Sequence, residues 1–565
     1  MSQNCHGEEY DVAVIGTGLV GTILAAILAA QGIKVVMVES GVHPRFAIGE
    51  SIVPATGSFL RILALRYGVP EIKNLSNFTH IRRHVSSACG IKRSFTFVHH
   101  TPGREPDPEH TTQVLTARPP FGPDCHMFRQ DVDAYMLAIA VRYGARLFQN
   151  TRITGLERSG PGWRIETQRG PRIAARYLVD GSGARSFLAD HFGLRETPTG
   201  LQTHSRSLFT HMVGVKPYER SRGAVVAEQL ASPPSQGTLH HIFDGGWLWV
   251  IPFDNHAHAT NPLCSVGLQL DPRRFPRDEG EAPGDEFRDF LSRFPGIASQ
   301  FEGATAIRDW VATDRLQYSS TTAFGDGFCL LPHAAGFVDP LYSSGLATSL
   351  STVNSLAWRL IKALRDDDLS AGRFAYVNHW LLSDLRHVDR MVAGSYSSFQ
   401  DFELWNAWFR VFATGAILWN FGLIKAYIDY LAKRDPAVFA VLEEAPNRGA
   451  LASDLPQNME TFSAAAAEME AVLAGRKSKS EAAGAIFDQV SRSTFLPPHF
   501  KLANPAHRVI SIFRPGSVLR LLRWSRTHAP REVSKTYFDF PLKPLLSEVL
   551  AEHSQKLARM VSSLR

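Results

Sequence analysis

Hydrophobic positions first appear as an unbroken run, YDVAVI at residues 10–15, too short for a helix and apolar on both faces. Such a run reads as a strand buried on two sides. GTGLVG at 16–21 follows, then an alanine- and leucine-rich stretch to Ala30 that predicts a helix, then a second apolar run, 34–38, closing on Glu39. Further apolar runs at 207–215, 239–243, 247–253 and 264–270, bounded by turn residues, predict a sheet-rich region. From about residue 347 the spacing becomes helical and stays so. It predicts one long helix over 347–364, an aromatic-rich one over 399–431 with Trp405, Trp408 and Trp419, and a helix pair over 463–490 broken at 475–480. Segments 103–110 and 231–237, rich in Pro, Gly and charge, predict loops.

Strand, glycine turn, helix, strand and acid, in that order, make a dinucleotide-binding unit. Gly16 and Gly18 permit a tight turn and close backbone approach to a pyrophosphate, Gly21 lets the helix pack on the strand, and the helix N-terminus faces the phosphates. Glu39 suits a ribose hydroxyl. The fingerprint stands at the start of a long chain, which predicts the split nucleotide domain of FAD enzymes rather than a compact NAD-binding half. Later pieces of that domain are Arg129 with Asp131 and Asp133, then 177–183, then 328–331 running into 333–346. The fold class is therefore α/β. A Rossmann-like FAD-binding domain is expected over 1–205 and 320–360, a sheet-rich substrate region over 206–319, and a helical C-terminal region over 361–565 that caps the substrate pocket.

Composition narrows the field. At 565 residues and 44 % hydrophobic the chain has ample material for a core, and its length allows roughly two to four domains. A formal charge of +6, with the charges scattered, gives no nucleic-acid face, though it helps attract small anions. Five cysteines (Cys5, Cys89, Cys125, Cys264 and Cys329) show neither C-x-x-C nor zinc spacing. No metal centre is expected, and the thiols suit a reducing cytosol. Residues 1–9 are short, polar and acidic at their end, unlike a signal peptide. The most apolar helical stretch, 412–424, holds Asn420 and falls short of the roughly 20 residues of a membrane span. A cytoplasmic monomer or homodimer without stable membrane insertion is the expectation.

The segment WLWVIP, Trp247 to Pro252, puts two indoles on one face of a strand, because side chains alternate with period two. The proline ends the strand. Together with the FAD-type fingerprint, W-x-W-x-I-P resembles the flavin-dependent halogenases. The resemblance implies that Trp247, Trp249 and Pro252 stand beside the flavin and keep the organic substrate from the activated oxygen, so that halide intercepts it. HPRFAIGES at 43–51 is similar to the family's run near the flavin. It implies a loop with Arg45, Ile48 and Gly49 around the cofactor, and Arg129 is assigned there too. HAAGFVDPLYSSGL at 333–346 resembles the flavin- and halide-binding stretch. Asp339 would face the ribityl or pyrophosphate region, and the backbone N–H groups of Ser343, Ser344 and Gly345, ahead of a helix, would face the halide. An ordinary serine helix cap uses the same residues.

Lys92 lies in SSACGIKRSFTF (86–97), where Ile91, Phe95 and Phe97 mark an apolar strand face. An ammonium in apolar company is costly to bury without a partner or a task; the competing reading is an exposed lysine beside Arg93. In halogenases of this type one lysine separates the flavin chamber from the substrate chamber. The resemblance gives Lys92 that post, holding hypohalous acid by hydrogen bonding or as a haloamine.

Two departures bear on substrate. Many FAD enzymes of this fold carry Gly-Asp where this chain has Pro332-His333, and the glutamate of the tryptophan halogenases is Tyr342 here, so indole is not implied. The blocks at 86–97, 211–215, 240–243, 247–255, 260–267 and 310–319 are similar to the phenol and aromatic-polyketide subgroup. The resemblance therefore implies a small-molecule substrate with an electron-rich phenolic or aromatic polyketide ring in natural-product (antibiotic) biosynthesis, FAD supplied as FADH2 by a separate flavin reductase, O2, and chloride or bromide. A phenol gains from a nearby base. His99 and His100, adjacent on a strand, point to opposite faces, so at most one shares the side of Phe95 and Phe97; each reads better as a surface histidine. Two rivals remain. An FAD-dependent aromatic hydroxylase shares the nucleotide fold, but the tryptophan pair and Lys92 stand against it. A surface-binding protein using residues 399–431 is opposed by the preference of large aromatics for the interior.

Overall fold

The computed structural model describes residues 9–117, 120–168, 170–512 and 516–550. Cys5 and residues 1–8, on which the signal-peptide reading rests, lie outside the described residues. The strand Glu9–Ile15 runs parallel to Val35–Val38 on one side and to Ile173–Asp180 on the other. Arg146–Phe148 and Phe328–Leu330 continue this sheet in parallel at its two ends. Its central strands are buried on both faces, as their unbroken apolar runs require, and the helix Leu19–Ala30 packs on it almost wholly buried. A hairpin, Ile153–Ser159 with Gly162–Thr167, adds antiparallel to Ile173–Asp180. Its mostly polar, half-exposed first strand left no apolar run to read.

A second sheet runs Arg206–Val213, Cys264–Leu270, Gly246–Pro252, Thr238–Phe243, Ser94–His100, Thr111–Leu115. Neighbours are antiparallel except Thr238–Phe243 and Ser94–His100, which are parallel. This sheet extends beyond 206–319: two of its strands come from residues 94–115, which the sequence reading assigned to the nucleotide domain. The cause is local. Gly90–Lys92 forms a separate two-stranded ladder with Asp124–His126, Arg93 breaks it, and the chain re-enters regular pairing at Ser94 in the other sheet. One face of the second sheet, with Leu239, Leu248, Val250 and Leu268, buries against the helices Pro283–Ser292 and Pro295–Phe301. The other, with Phe97, Trp247 and Trp249, buries against the helix Phe402–Lys433.

That helix starts where the Asp401 carboxylate accepts from Leu404 N at 3.0 Å. It is longer than the apolar stretch 412–424, and by length and composition it could cross a membrane. Most of its apolar length is buried within the chain, and Trp405, Trp408 and Trp419 are each at most 4 % exposed, so its aromatics are core. The helix pair is observed as Pro456–Leu473 and Lys479–Ser491, the second started by a reciprocal Ser478–Glu481 cap.

Trp249 and Gly267 are direct cross-strand partners. The indole lies over the glycine, and a Cβ at 267 would overlap the ring. Gly267→Ala is therefore expected to cost about 1–3 kcal/mol, the scale of overpacking in a filled core, read as a lowered urea midpoint at unchanged slope.

Candidate active site

The nucleotide cradle begins at Gly16, whose φ of +85° is left-handed and whose added Cβ would stand 2.8 Å from Ser182 Cα. At Gly18 an added Cβ meets nothing within 4 Å, so the turn is open in front of the helix. No side chain caps the N-terminus of Leu19–Ala30. Its first amide N–H groups are thus left for an anion, the arrangement a pyrophosphate needs. Glu39 closes the cradle. Its Oε2 accepts from Thr17 N and Oγ1 at 2.9 and 2.8 Å, and its Oε1 accepts from Gly41 N at 2.8 Å. Burial pushes this carboxyl up, but those hydrogen bonds and the Arg45 guanidinium, 3.5 Å away, outweigh it and hold the group below its ordinary value. Oε1, with one hydrogen bond, keeps acceptor capacity for a ribose hydroxyl. Arg129 forks onto Asp133 at 2.7 and 3.0 Å and donates to Ile48 O at 2.6 Å and Gly49 O at 3.3 Å. It fixes the 48–49 loop, where Gly49 has a φ of +87°. These residues fit FAD.

Lys92 is fully buried, and Arg93 beside it is exposed. Its Nζ donates to Ser51 Oγ at 2.8 Å and Ile52 O at 2.6 Å, and lies 3.2 Å from the Phe95 ring centroid. Burial drives the amine well below its ordinary pKa, against the attraction of Asp124. Ser51 is a junction. Its Oγ lies 2.7 Å from Thr238 Oγ1 and accepts from Ser343 Oγ at 3.2 Å. Thr238 Oγ1 lies 3.0 Å from His126 Nε2, and His126 Nδ1 lies 2.9 Å from Pro252 O. The direction of this chain is determined. The Pro252 carbonyl only accepts, so Nδ1 carries the proton. Burial and the Lys92 charge hold His126 neutral, with its pKa lowered to about 3, so Nε2 accepts from Thr238. Thr238 then accepts from Ser51, and Ser51 from Lys92. One hydrogen-bonded line thus joins Lys92, the start of the Ser343 stretch and the end of the tryptophan strand. Asn255 locks it by donating to Ile91 O and accepting from Ile91 N, both at 2.8 Å.

Ser343 has a φ of +51°, rarely adopted by a side-chain-bearing residue. It precedes the helix Gly345–Asp366, whose N-cap Ser344 makes no side-chain cap bond. The serine-cap alternative therefore does not cover the N–H groups of Ser344 and Gly345, whereas Ser343 N, expected to face a halide, already donates to Pro340 O at 3.0 Å. Trp247 and Trp249 stand on one face, centroids 5.7 Å apart. Trp249 Nε1 donates to Ser265 Oγ at 3.2 Å, and Trp247 Nε1 to Tyr396 Oη at 3.2 Å. Tyr396 in turn donates to Asp339 Oδ2 at 2.9 Å, which also accepts from Ser205 Oγ at 3.1 Å, while Oδ1 accepts from Leu341 N at 3.0 Å. The Asp339 carboxylate, expected against the flavin, thus has protein partners instead and anchors the tryptophan strand to the 333–346 stretch.

An apolar cavity of ≈ 100 Å³ lies beyond Phe95, lined by Phe95, Phe97, Tyr342, Ser344, Phe409 and Phe412 among others. Tyr342 stacks on Phe412 at 3.7 Å and its hydroxyl pairs with Ser395 Oγ at 2.6 Å. One phenyl ring, Phe95, separates the cavity from the Lys92 amine. His99 and His100, expected at the surface, are buried: His99 Nε2 meets Phe399 O and His100 Nε2 meets His241 Nδ1, both at 2.8 Å, and neither lines the cavity. Ser51 and Asn255 lay inside runs singled out in the sequence without a role. Thr238, Asp124 and His126 carried no signal of their own.

Burial pushes the Asp339 carboxyl up to about 6, against its hydrogen bonds. Above that pH it is an anion that needs the Tyr396 donor; below, it is protonated and needs it less. Tyr396→Phe is expected to cost about 1–3 kcal/mol in urea unfolding at pH 8, with the deficit shrinking by pH 5.

The likenesses to known proteins agree with this geometry. Residues 9–46 match the FAD binding domain family and residues 117–410 the tryptophan halogenase family. The chain is 44 % identical over 550 residues to monodechloroaminopyrrolnitrin halogenase PrnC of Pseudomonas fluorescens, covering 95 % of each chain. It is 41 % identical over 532 residues to tetracycline 7-halogenase of Kitasatospora aureofaciens, covering 94 % of this chain and 95 % of that one. Its fold superposes on halogenase PltM in complex with phloroglucinol and FAD with a TM-score of 0.85 at 35 % identity, over 89 % of this chain and 99 % of the other. A nucleotide cradle shaped for FAD and a buried lysine tied to the tryptophan strand accordingly belong to a flavin-dependent halogenase, an FAD enzyme of the tryptophan halogenase family that uses O2 and halide.

Proposed function

We propose that this enzyme chlorinates or brominates a compact phenolic ring, with hypohalous acid held at Lys92. The chemistry supplied by bound, reduced FAD is the activation of O2. Gly16, Gly18, the first turn of Leu19–Ala30 and Glu39 bind its nucleotide half. The N–H groups at Ser344 and Gly345 receive the halide, and Trp247 and Trp249 bar the organic substrate from the oxygen-activating side. Lys92 donates N–H to the hypohalous acid and presents it past Phe95, where Tyr342 and Phe412 hold the ring. The observation that carries the reading is the fully buried amine, joined through Ser51 to Ser343 and parted from an apolar cavity by one ring.

Cavity size supports a small substrate. An apolar cavity of about 150 Å³ admits benzene, so ≈ 100 Å³ is of the order of one ring. Phloroglucinol in the PltM complex is such a molecule, and it is a phenol. The cavity offers no carboxylate or histidine among its lining residues, which favours a ring already electron-rich over one needing a strong base. A separate flavin reductase in the same cytoplasm would supply the reduced cofactor. A hydroxylase would instead bring the ring directly to the flavin, leaving Lys92 without a task.

Lys92→Ala is expected to cut halogenation by about 100-fold or more, the scale of losing a positioned donor, with FAD binding and hydrogen peroxide release retained. Halogenation at the wild-type rate would remove Lys92 from the mechanism. With reductase, NADH and chloride or bromide, mass spectrometry is expected to show a halogen added to phloroglucinol-type phenols but not to tryptophan. Preferential conversion of a pyrrole would overturn the phenolic assignment.

A further inference from the structure

Lys92 and Asp124 face each other directly on the Gly90–Lys92 and Asp124–His126 ladder, and residues so opposed project from the same face. Asp124 is fully buried, and neither of its carboxylate oxygens has a hydrogen-bond partner among the described residues. Buried polar atoms are nearly always paired, so such a group calls for an explanation. The lysine amine ends on Ser51 Oγ and Ile52 O. Both of those acceptors are uncharged. They satisfy N–H groups without balancing a cation.

The remaining groups around the amine supply no negative charge. His126 on the paired strand and His240 on Thr238–Phe243 are held neutral by burial, each lowered to about 3 with the Lys92 charge adding to the effect. Burial pushes the Cys125 thiol well above its ordinary value, and Cys89 beside it raises it further. Glu50, next to Ser51, is engaged by His211 Nε2 at 2.6 Å. Among the described residues, Asp124 is left as the carboxylate that opposes Lys92.

We propose that Asp124 is a positioning residue whose carboxylate is the counter-charge that keeps Lys92 an ammonium, and hence a donor to hypohalous acid, in a dry site that would otherwise strip its proton. This rests on the reading of Lys92 given above. The two groups oppose each other's drift. Burial lowers the amine and Asp124 is the largest influence raising it; burial raises Asp124 to about 7 and Lys92 holds it down. The carboxylate does so through the field of an apolar interior, where screening is weak, without occupying the N–H groups that must reach the hypohalous acid.

The test uses the full-length, FAD-loaded enzyme. Asp124→Asn keeps the shape and removes the charge. The alkaline limb of its halogenation–pH profile is expected to move down by at least about one pH unit, so that on the wild-type plateau near that limb the rate falls about tenfold. FAD binding and hydrogen peroxide release stay as in the wild type, which a merely structural defect would not leave intact. Asp124→Glu restores the charge and is expected to restore the limb. Lysine ¹³Cε labelling reads the proton directly: the resonance missing from Lys92→Met belongs to Lys92, and in the wild type at pH 7 it is expected to have the shift of an ammonium. A neutral amine there overturns the proposal even if no Asp124 variant folds. So does an Asp124→Asn profile that coincides with the wild type while Lys92→Ala is inactive. Full halogenation by Lys92→Ala would instead remove the reading on which the proposal rests.

Discussion

A fully buried lysine amine is the constraint about which the rest of this enzyme is arranged. An ammonium in an apolar interior survives only if its N–H groups and its charge are met by fixed partners, and this chain meets them from several directions. Ser51 and Ile52 accept its hydrogen bonds, Phe95 lays a ring face against it, and Asp124 opposes it across a two-stranded ladder. The partners come from three separate stretches of sequence. Satisfying one side chain therefore ties the nucleotide loop, the short ladder and the Ser94–His100 strand of the second sheet to one another.

The ladder is small, yet it explains why two sheets can serve one reaction. The parallel sheet carries the nucleotide cradle and the antiparallel sheet the tryptophan pair, and the chain passes between them at Lys92 and Arg93. Because Lys92 lies at the crossing point, the two halves cannot drift apart without pulling its amine from Ser51. Close backbone approach makes this feasible: an added Cβ at Gly90 would collide with Pro252 O, and Asn255 pairs with the backbone of Ile91 as another strand would.

The parts legible in the sequence were those whose physics is local. An apolar run before a glycine turn, two indoles at alternate positions and a long aromatic helix announce themselves through period and composition, and their bounds in the structure lie within a few residues of those expected. Parts that depend on long-range pairing were silent. Ser94–His100 joins the second sheet because Thr238–Phe243 lies beside it, far along the chain. Asp339 reads as a cofactor ligand, and its partner Tyr396 comes from a helix that sequence alone cannot bring near. His99 and His100 look like surface residues until Phe399 of the helical region meets the first and His241 of the neighbouring strand meets the second. Lys92 was legible as an anomaly, a charge in apolar company, but its partners were not.

The line from Lys92 through Ser51, Thr238 and His126 has a single polarity and terminates on a carbonyl, which has no proton to pass on. It is consequently a static rail of aligned dipoles and not a Grotthuss wire. Protons gained or lost at the amine must be exchanged by another route, and the field along the line has a sign set by the carbonyl on which it ends.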